Sequence, residues 1–205
     1  MNETQERRVS ISEVEWLQQA VEGDESAFAN LVEAYQRPVY NLCYRMLGDP
    51  VEAEDAAQET FWRAYQNLRR YDPRRSFPTW LLSIAAHYCI DQQRKRRIPL
   101  LSIELMPEED APDSTPNPEK VVSQLEETSQ MRRLLAKLGS QDRAAVILRY
   151  WYEFSEEEIA KALSLTVSAV KSRLHRARKE LANNWQEEQV RSPFSERRKN
   201  ESPAL

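Results

Sequence analysis

The sequence predicts an all-α protein in which two small helical domains are joined by a flexible, acidic, Pro-rich linker, the second domain containing a helix-turn-helix. Two patterns carry this reading. Apolar residues recur at spacings of three and four on both sides of the middle of the chain, and no run alternates as a strand would. Charge is also partitioned. The formal net charge is -4, yet residues 1–97 hold 13 basic and 15 acidic side chains, 98–128 hold 1 and 8, 129–185 hold 11 and 6, and the last 20 hold 4 and 4. The acid is thus concentrated in IPLLSIELMPEEDAPDSTPNPEKVVSQLEET, which also has five of the eleven prolines. Such a stretch lacks a sustained apolar face and cannot bury enough surface to offset its ordering entropy. The expected organisation is a polar tail over 1–12, a helical domain over 13–97, a linker over 98–120, a second helical domain over 121–185 and a disordered tail over 186–205. Asn117 and Pro118 mark a helix start near Glu119.

Composition bounds what such a chain can be. With 205 residues, 40% apolar and 30% charged, it can bury one or two modest cores. No apolar run approaches the roughly 18 residues of a membrane span, and MNETQERRVS is too polar for a secretory signal, so a cytoplasmic protein is expected. Cys43 and Cys89 lack CxxC spacing. Two reduced, packed thiols are expected, with no disulfide, no zinc and no cofactor.

In the first domain, Phe28, Leu31, Val32, Tyr35, Val39, Leu42 and Cys43 form a helical stripe, with Pro38 arguing for a kink or a break. Asp49, Pro50 and Glu52 then supply a cap, a first-turn proline and an acid at the third position of a helix running to about Leu68. That helix buries Ala57, Phe61, Ala64 and Leu68 and sets Asp55, Gln58, Glu59 and Trp62 on its other side. Acids near the start complement the positive helix end, but Gln58, Glu59 and Trp62 lie beyond that field. An outward Trp on a polar face suits a partner protein.

The stretch NLRRYDPRRSFPTWLLSIAAHYCIDQQRKRR interleaves Arg69, Arg70, Arg74, Arg75, Arg94 and Lys95 with Tyr71, Phe77, Trp80, His87 and Tyr88. Duplex phosphates ask only for cations, whereas an opened strand also exposes base faces on which rings stack. Basic plus aromatic therefore suggests melted DNA or RNA. The competing reading makes Phe77, Trp80, Leu81, Ile84 and Tyr88 one core stripe. His87 has no second ligand at a spacing that would hold a metal.

The C-terminal part is more specific. SEEEIAKALSL opens with Ser155 and Glu158 as a capping box and places Ile159, Ala160 and Leu163 on one face. After a break at Ser164 and Leu165, Thr166 caps a second helix whose Val167, Val170, Leu174, Ala177 and Leu181 face inward. The opposite face carries Ser168, Lys171, Ser172, His175, Arg176 and Lys179, with Arg173 and Arg178 flanking the apolar stripe. From 166 to 179 this helix has five Lys or Arg and no acid. A short helix, a tight break and a second helix with donors outward are what a helix-turn-helix needs to lay its second helix in a major groove.

These residues, taken together, resemble the extracytoplasmic-function group of bacterial sigma factors of the sigma-70 family. The resemblance runs from GDESAF through EAEDAAQETF and FPTWLLSIAAHYCID with its basic run, then from MRRLLAKLGSQDRAAVILRYWYEFSEEEIA through AVKSRLHRARKEL. It implies a non-enzymatic protein that binds core RNA polymerase and directs promoter-specific initiation. Asp55, Gln58, Glu59 and Trp62 would meet the clamp helices of the polymerase. The -10 element, as a melted strand, would meet Arg69, Arg70, Tyr71, Arg74, Arg75, Phe77, Trp80, His87, Arg94 and Lys95. The -35 duplex would meet Thr166, Ser168, Lys171, Ser172, Arg173, His175, Arg176 and Lys179. An anti-sigma factor is a candidate third partner. The chain departs from the family at His87, where Asn is usual, at Ser164, where a turn Gly is usual, at Ser168 and Ala169, which replace Gly-Thr, and at Gly139, which replaces a Pro.

Net negative charge and an acidic tether imply weak idle attraction to DNA, with specificity emerging on the polymerase. About 25 linker residues reach about 80 Å at roughly 3.3 Å each, and elements roughly 17 base pairs apart at about 3.4 Å per pair lie about 58 Å apart, so the tether can span them. Rival readings are a regulator of the response-regulator kind, which would need a strand-containing sensing domain in front, and a polymerase-docking decoy that reads no promoter. An enzyme acting on nucleic acid is disfavoured by three Gly, two His 88 residues apart and no HExxH.

Overall fold

A computed structural model describes residues 3–97 and 129–191, and among these residues all regular structure is helical. The first half comprises α1 (Glu3–Glu22), α2 (Glu25–Leu47), α3 (Pro50–Asn67), a 3-10 turn (Leu68–Arg70) and α4 (Phe77–Arg97). The second comprises α5 (129–137), α6 (Ser140–Trp151), α7 (Glu156–Ala162) and α8 (Val167–Arg191). The linker over 98–120, the helix start near Glu119 and residues 192–205 lie outside the described residues.

Local signals set the helix ends. Asp24 accepts from Ser26 N at 2.8 Å and Ala27 N at 3.2 Å, capping α2. Gly48 ends it at φ +84, a left-handed conformation that glycine adopts without a Cβ clash, and its N–H bonds Tyr44 O at 2.8 Å. Asp49 caps α3 by accepting from Glu52 N at 2.8 Å, with Pro50 in the first turn. The expected break at Pro38 does not occur. α2 runs through it unbroken, because the burial of Leu31, Val39, Leu42, Cys43 and Met46 on one face outweighs one missing N–H. The buried side of α3 is Ala53, Ala56, Ala57, Thr60 and Ala64, small residues that let α3 approach α2 closely. Leu81, Leu82, Ala85, Ala86 and Cys89 of α4 complete this core.

Cys43 and Cys89 are free, fully buried thiols. Their mutual hydrogen bond, helped by burial, pushes the Cys89 thiol far above its usual range, as suits packed rather than reactive cysteines.

Nothing in the periodicity of either half predicts how the halves meet. α6 packs on α2 and α4, α7 packs on α4, and the buried apolar residues of both halves form one cluster. Arg143 bolts the seam. Its buried guanidinium donates to Met46 O at 2.6 Å and also to Ala136 O at 2.6 Å and Leu138 O at 3.2 Å. One cation thus satisfies carbonyls at the negative ends of α2 and α5. Around it Tyr152 donates to Pro38 O at 2.6 Å, Arg132 donates to the Tyr44 hydroxyl at 2.6 Å, and Arg45 lies 5.2 Å over the Trp151 ring. Burial pushes the Tyr152 phenol above its ordinary range.

The ends of the chain extend further as helix than expected. α1 begins within the segment read as a polar tail, and α8 continues to Arg191, so 186–191 are helical rather than part of a disordered tail. An ion pair from Lys137 to Glu188 at 3.2 Å ties that end of α8 to α5. No described helix is long and apolar enough to cross a membrane.

Candidate nucleic-acid and partner interfaces

The helix-turn-helix is built as its sequence signals require. Glu158 N donates to Ser155 Oγ at 3.2 Å and Ser155 N donates to Glu158 Oε2 at 2.8 Å, a reciprocal capping box that starts α7. The turn then closes with Leu163 N bonded to Ile159 O at 2.9 Å and Leu165 N to Ala160 O at 2.8 Å. That 6→1 closure is a Schellman motif, and it places Ser164 at φ 55. Ser164 therefore accepts positive φ where glycine would sit without cost. Thr166 Oγ1 accepts from Ala169 N at 3.1 Å and starts α8. Val170, Leu174 and Ala177 are buried against α6 and α7.

Outward from that stripe, Thr166, Ser168, Lys171, Ser172, His175, Arg176 and Lys179 are all exposed, and Arg173 is half-buried. Arg178 turns back to donate to Leu174 O at 3.2 Å. The absence of acids between 166 and 179 does not leave Lys171, Arg173 and Arg176 unpaired, because the fold brings acids from other helices. Lys171 lies 3.5 Å from Glu156 of α7, while Arg173 at 2.6 Å and Arg176 at 3.4 Å share Asp142 of α6. Sequence reasoning missed both acids: Asp142 reads locally only as a favourable charge in the first turn of α6.

In the first half the basic and aromatic residues part company. Arg69, Arg70, Arg74, Arg75, Arg94 and Lys95 are exposed. Arg74 and Arg94 have only loose partners, Asp72 at 3.8 Å and Asp91 at 3.2 Å. The aromatics turn inward. Phe77, assigned to the melted strand from sequence, is 2% exposed and sits in a ring cluster with Tyr35 at 5.4 Å, Tyr71 at 5.8 Å and Trp80 at 5.7 Å. Phe77 is core and cannot stack on a base; its place on the α4 stripe, one of the two readings open from sequence, decides it. Tyr71 and Trp80 pack on each other at 5.1 Å and are half-buried, each keeping a partly open surface. Burial raises the Tyr71 phenol, and its hydroxyl donates to Arg75 O, closing the loop that carries the arginines. Tyr35 donates to Glu13 of α1 at 2.6 Å, which ties α1 to this cluster, and burial together with Glu13 pushes its phenol up. His87 is exposed, with Nδ1 2.9 Å from Ser83 O. A carbonyl oxygen only accepts, so Nδ1 carries a hydrogen.

On α3, Asp55, Gln58 and Trp62 are exposed and Glu59 is half-buried, paired with Arg63 at 2.7 Å. Trp62 is 57% exposed, stacked at 6.4 Å on Tyr65, whose ring meets Phe28 at 5.0 Å. Beside it, Val32, Gln36, Arg37, Tyr40, Ala57 and Phe61 line an open groove between α2 and α3. A preordered aromatic beside a groove is the form of an interface anchor.

A helix-turn-helix with its donors outward, joined to a helical unit with a basic loop and a separate aromatic-polar face, is the architecture of a promoter-reading transcription factor. The chain belongs to the extracytoplasmic-function group of RNA polymerase sigma factors. The family models for Sigma-70 region 2 and Sigma-70, region 4 match residues 31–98 and 128–181. The ECF RNA polymerase sigma factor SigW of Bacillus subtilis is 39% identical over 173 residues, covering 80% of this chain and 92% of that protein. Among solved structures, CnrH in complex with the cytosolic domain of CnrY matches with TM-score 0.64 and 25% identity, over 85% of this chain and 97% of that one. The sigma factor RpoE of Bartonella quintana, in complex with the anti-sigma factor NepR, shares the fold with TM-score 0.61 and 21% identity, over 78% of this chain and 96% of that one.

Proposed function

We propose that this chain binds core RNA polymerase in the cytoplasm and directs promoter-specific initiation without catalysing a reaction itself. The first helical domain, over 13–97, takes the -10 element, and the helix-turn-helix domain, over 121–185, takes the -35 element. The observation that carries the reading is the outward face of α8, where Ser168, Lys171, Ser172, His175, Arg176 and Lys179 stand exposed on a helix held by a capped, Schellman-closed turn. Arg69, Arg70, Arg74, Arg75, Arg94 and Lys95 follow the backbone of the opened strand, with His87 and the open edges of Tyr71 and Trp80 nearest its bases. Phe77 supports that surface from beneath. Asp55, Gln58, Glu59 and Trp62 dock on the polymerase. Engaging both elements, about 58 Å apart at roughly 3.4 Å per base pair, requires the halves to part at the Arg143 seam. An anti-sigma factor is the proposed inhibitory partner, by likeness to RpoE, which shares the fold and is bound by the anti-sigma factor NepR.

The test is in vitro transcription with core polymerase, this chain and a randomised promoter library. Promoter-dependent transcripts with two enriched elements are expected, and the double variant Lys171→Glu, Arg176→Glu should lose them. A polymerase-docking decoy would give no such transcripts, and its own output would survive the double substitution.

A further inference from the structure

We propose that Asp142 of α6 is a positioning residue that aims Arg176 for base readout, an inference that rests on the promoter-reading function proposed for α8. Asp142 is 9% exposed, and a buried carboxylate is costly unless paired and hydrogen-bonded. Its two oxygens are divided between two arginines three residues apart on α8: Oδ1 to Arg173 Nη1 at 2.6 Å and Oδ2 to Arg176 Nε at 3.4 Å. The arginines differ in what this leaves them. Arg173 has 26% of its side chain exposed and is drawn into the brace through a terminal nitrogen, whereas Arg176 has 61% exposed and is touched only at Nε. Both terminal nitrogens of Arg176 thus remain for an outside partner, in the planar fork that matches the O6 and N7 acceptors of guanine. A long side chain already steered at Nε loses less freedom when it engages a base than one free in solvent. Lys171 and its more open Glu156 at 3.5 Å hold only a point charge by comparison.

The carboxylate has a second effect of opposite sign. It subtracts charge beside the groove-facing cations, so it weakens attraction to phosphates while it sharpens the choice of base. Asp142→Asn, which keeps the shape and removes the charge, should therefore lower base discrimination while leaving general duplex affinity unchanged or higher. A residue that only stabilised the domain would lower both.

The experiment uses polymerase reconstituted with the full chain, the promoter that the unaltered chain selects from the randomised library, and versions of that promoter with each -35 guanine replaced. The preference for guanine at the position sensitive to Arg176→Ala should fall about tenfold in Asp142→Asn. Binding to an unrelated duplex should not weaken. In an Arg176→Ala background, Asp142→Asn should change the preference by less than about twofold, since the two act as one unit. A preference within about twofold of the unaltered chain, or an equal loss with and without Arg176, overturns the proposal. Because the unaltered chain is assayed on the same promoters, absence of all promoter-dependent transcription would instead strike the underlying function. One measurement needs no variant and guards against one that fails to fold: the Arg176 Nε–H should exchange slowly with water in nuclear magnetic resonance spectra of the chain. Exchange as fast as that of a fully solvated guanidinium overturns the assignment.

Discussion

On α8 the residues read from sequence as donors stand outward, all but the half-buried Arg173, whereas between Arg69 and Trp80 only the arginines do so and the rings turn in. The two regions differ in chemistry rather than in quality of signal. A guanidinium or ammonium with no buried acceptors to meet it, unlike that of Arg143, stays near water, because burying it unpaired is prohibitive, so a helical wheel places it correctly. A ring gains from burial in a core and from stacking on a base alike, so composition leaves its direction open. What settles Phe77 is a neighbour 42 residues away in sequence, Tyr35, which α2 brings to its edge at 5.4 Å.

The sharpest way to break this contrast is Phe77→Ala. A buried ring removed from a close-packed cluster costs about 3–5 kcal/mol, so chemical denaturation should show a large loss of stability, with promoter opening lost as a consequence. A change below about 1 kcal/mol, together with a selective defect on the -10 element, would return Phe77 to the DNA surface and erase the difference between the two regions.

The same contrast explains how far the sequence could be read. Helices α2, α3 and α7 were legible because caps and apolar spacing act locally, and Asp49 and Ser155 make the hydrogen bonds their positions imply, whereas α1 begins inside a segment read as a polar tail. The outward face of α8 was legible for the reason just given. Partners across helices were not. Asp142 lies 31 residues from Arg173 and Arg143 lies 97 from Met46, separations that no window of about 18 residues spans, and Glu156, nearer in sequence, reaches Lys171 only because the turn sets α7 against α8. Pro38 misled because propensity is a weak prior where an apolar face is deeply buried.

Trp62→Ala sharpens the comparison from the opposite side, since Trp62 is an aromatic that stays out. It stacks on Tyr65 but lies 57% exposed, so truncation should leave unfolding within about 0.5 kcal/mol of the unaltered chain. If it anchors the polymerase, affinity for core enzyme should fall by about 2 kcal/mol, roughly 30-fold. Titration of labelled chain against core polymerase measures this. A loss of stability without a loss of affinity would make Trp62 a structural ring like Phe77.

The smallest effect tests whether the helix-turn-helix was built at a cost. Ser164 closes the turn at φ 55, a conformation that disfavours a side chain by about 1–2 kcal/mol, partly offset because glycine adds about 0.4–1 kcal/mol of freedom to the unfolded chain. Ser164→Gly should therefore stabilise by about 0.5–1 kcal/mol, read as a rise of a few degrees in melting temperature, with the -35 preference unchanged because Ser164 precedes the capping Thr166 and the donors of α8. Destabilisation would mean that the Ser164 side chain contributes more to the turn than its strain removes, and the geometry that presents α8 would then depend on a hydroxyl rather than on the Schellman closure alone.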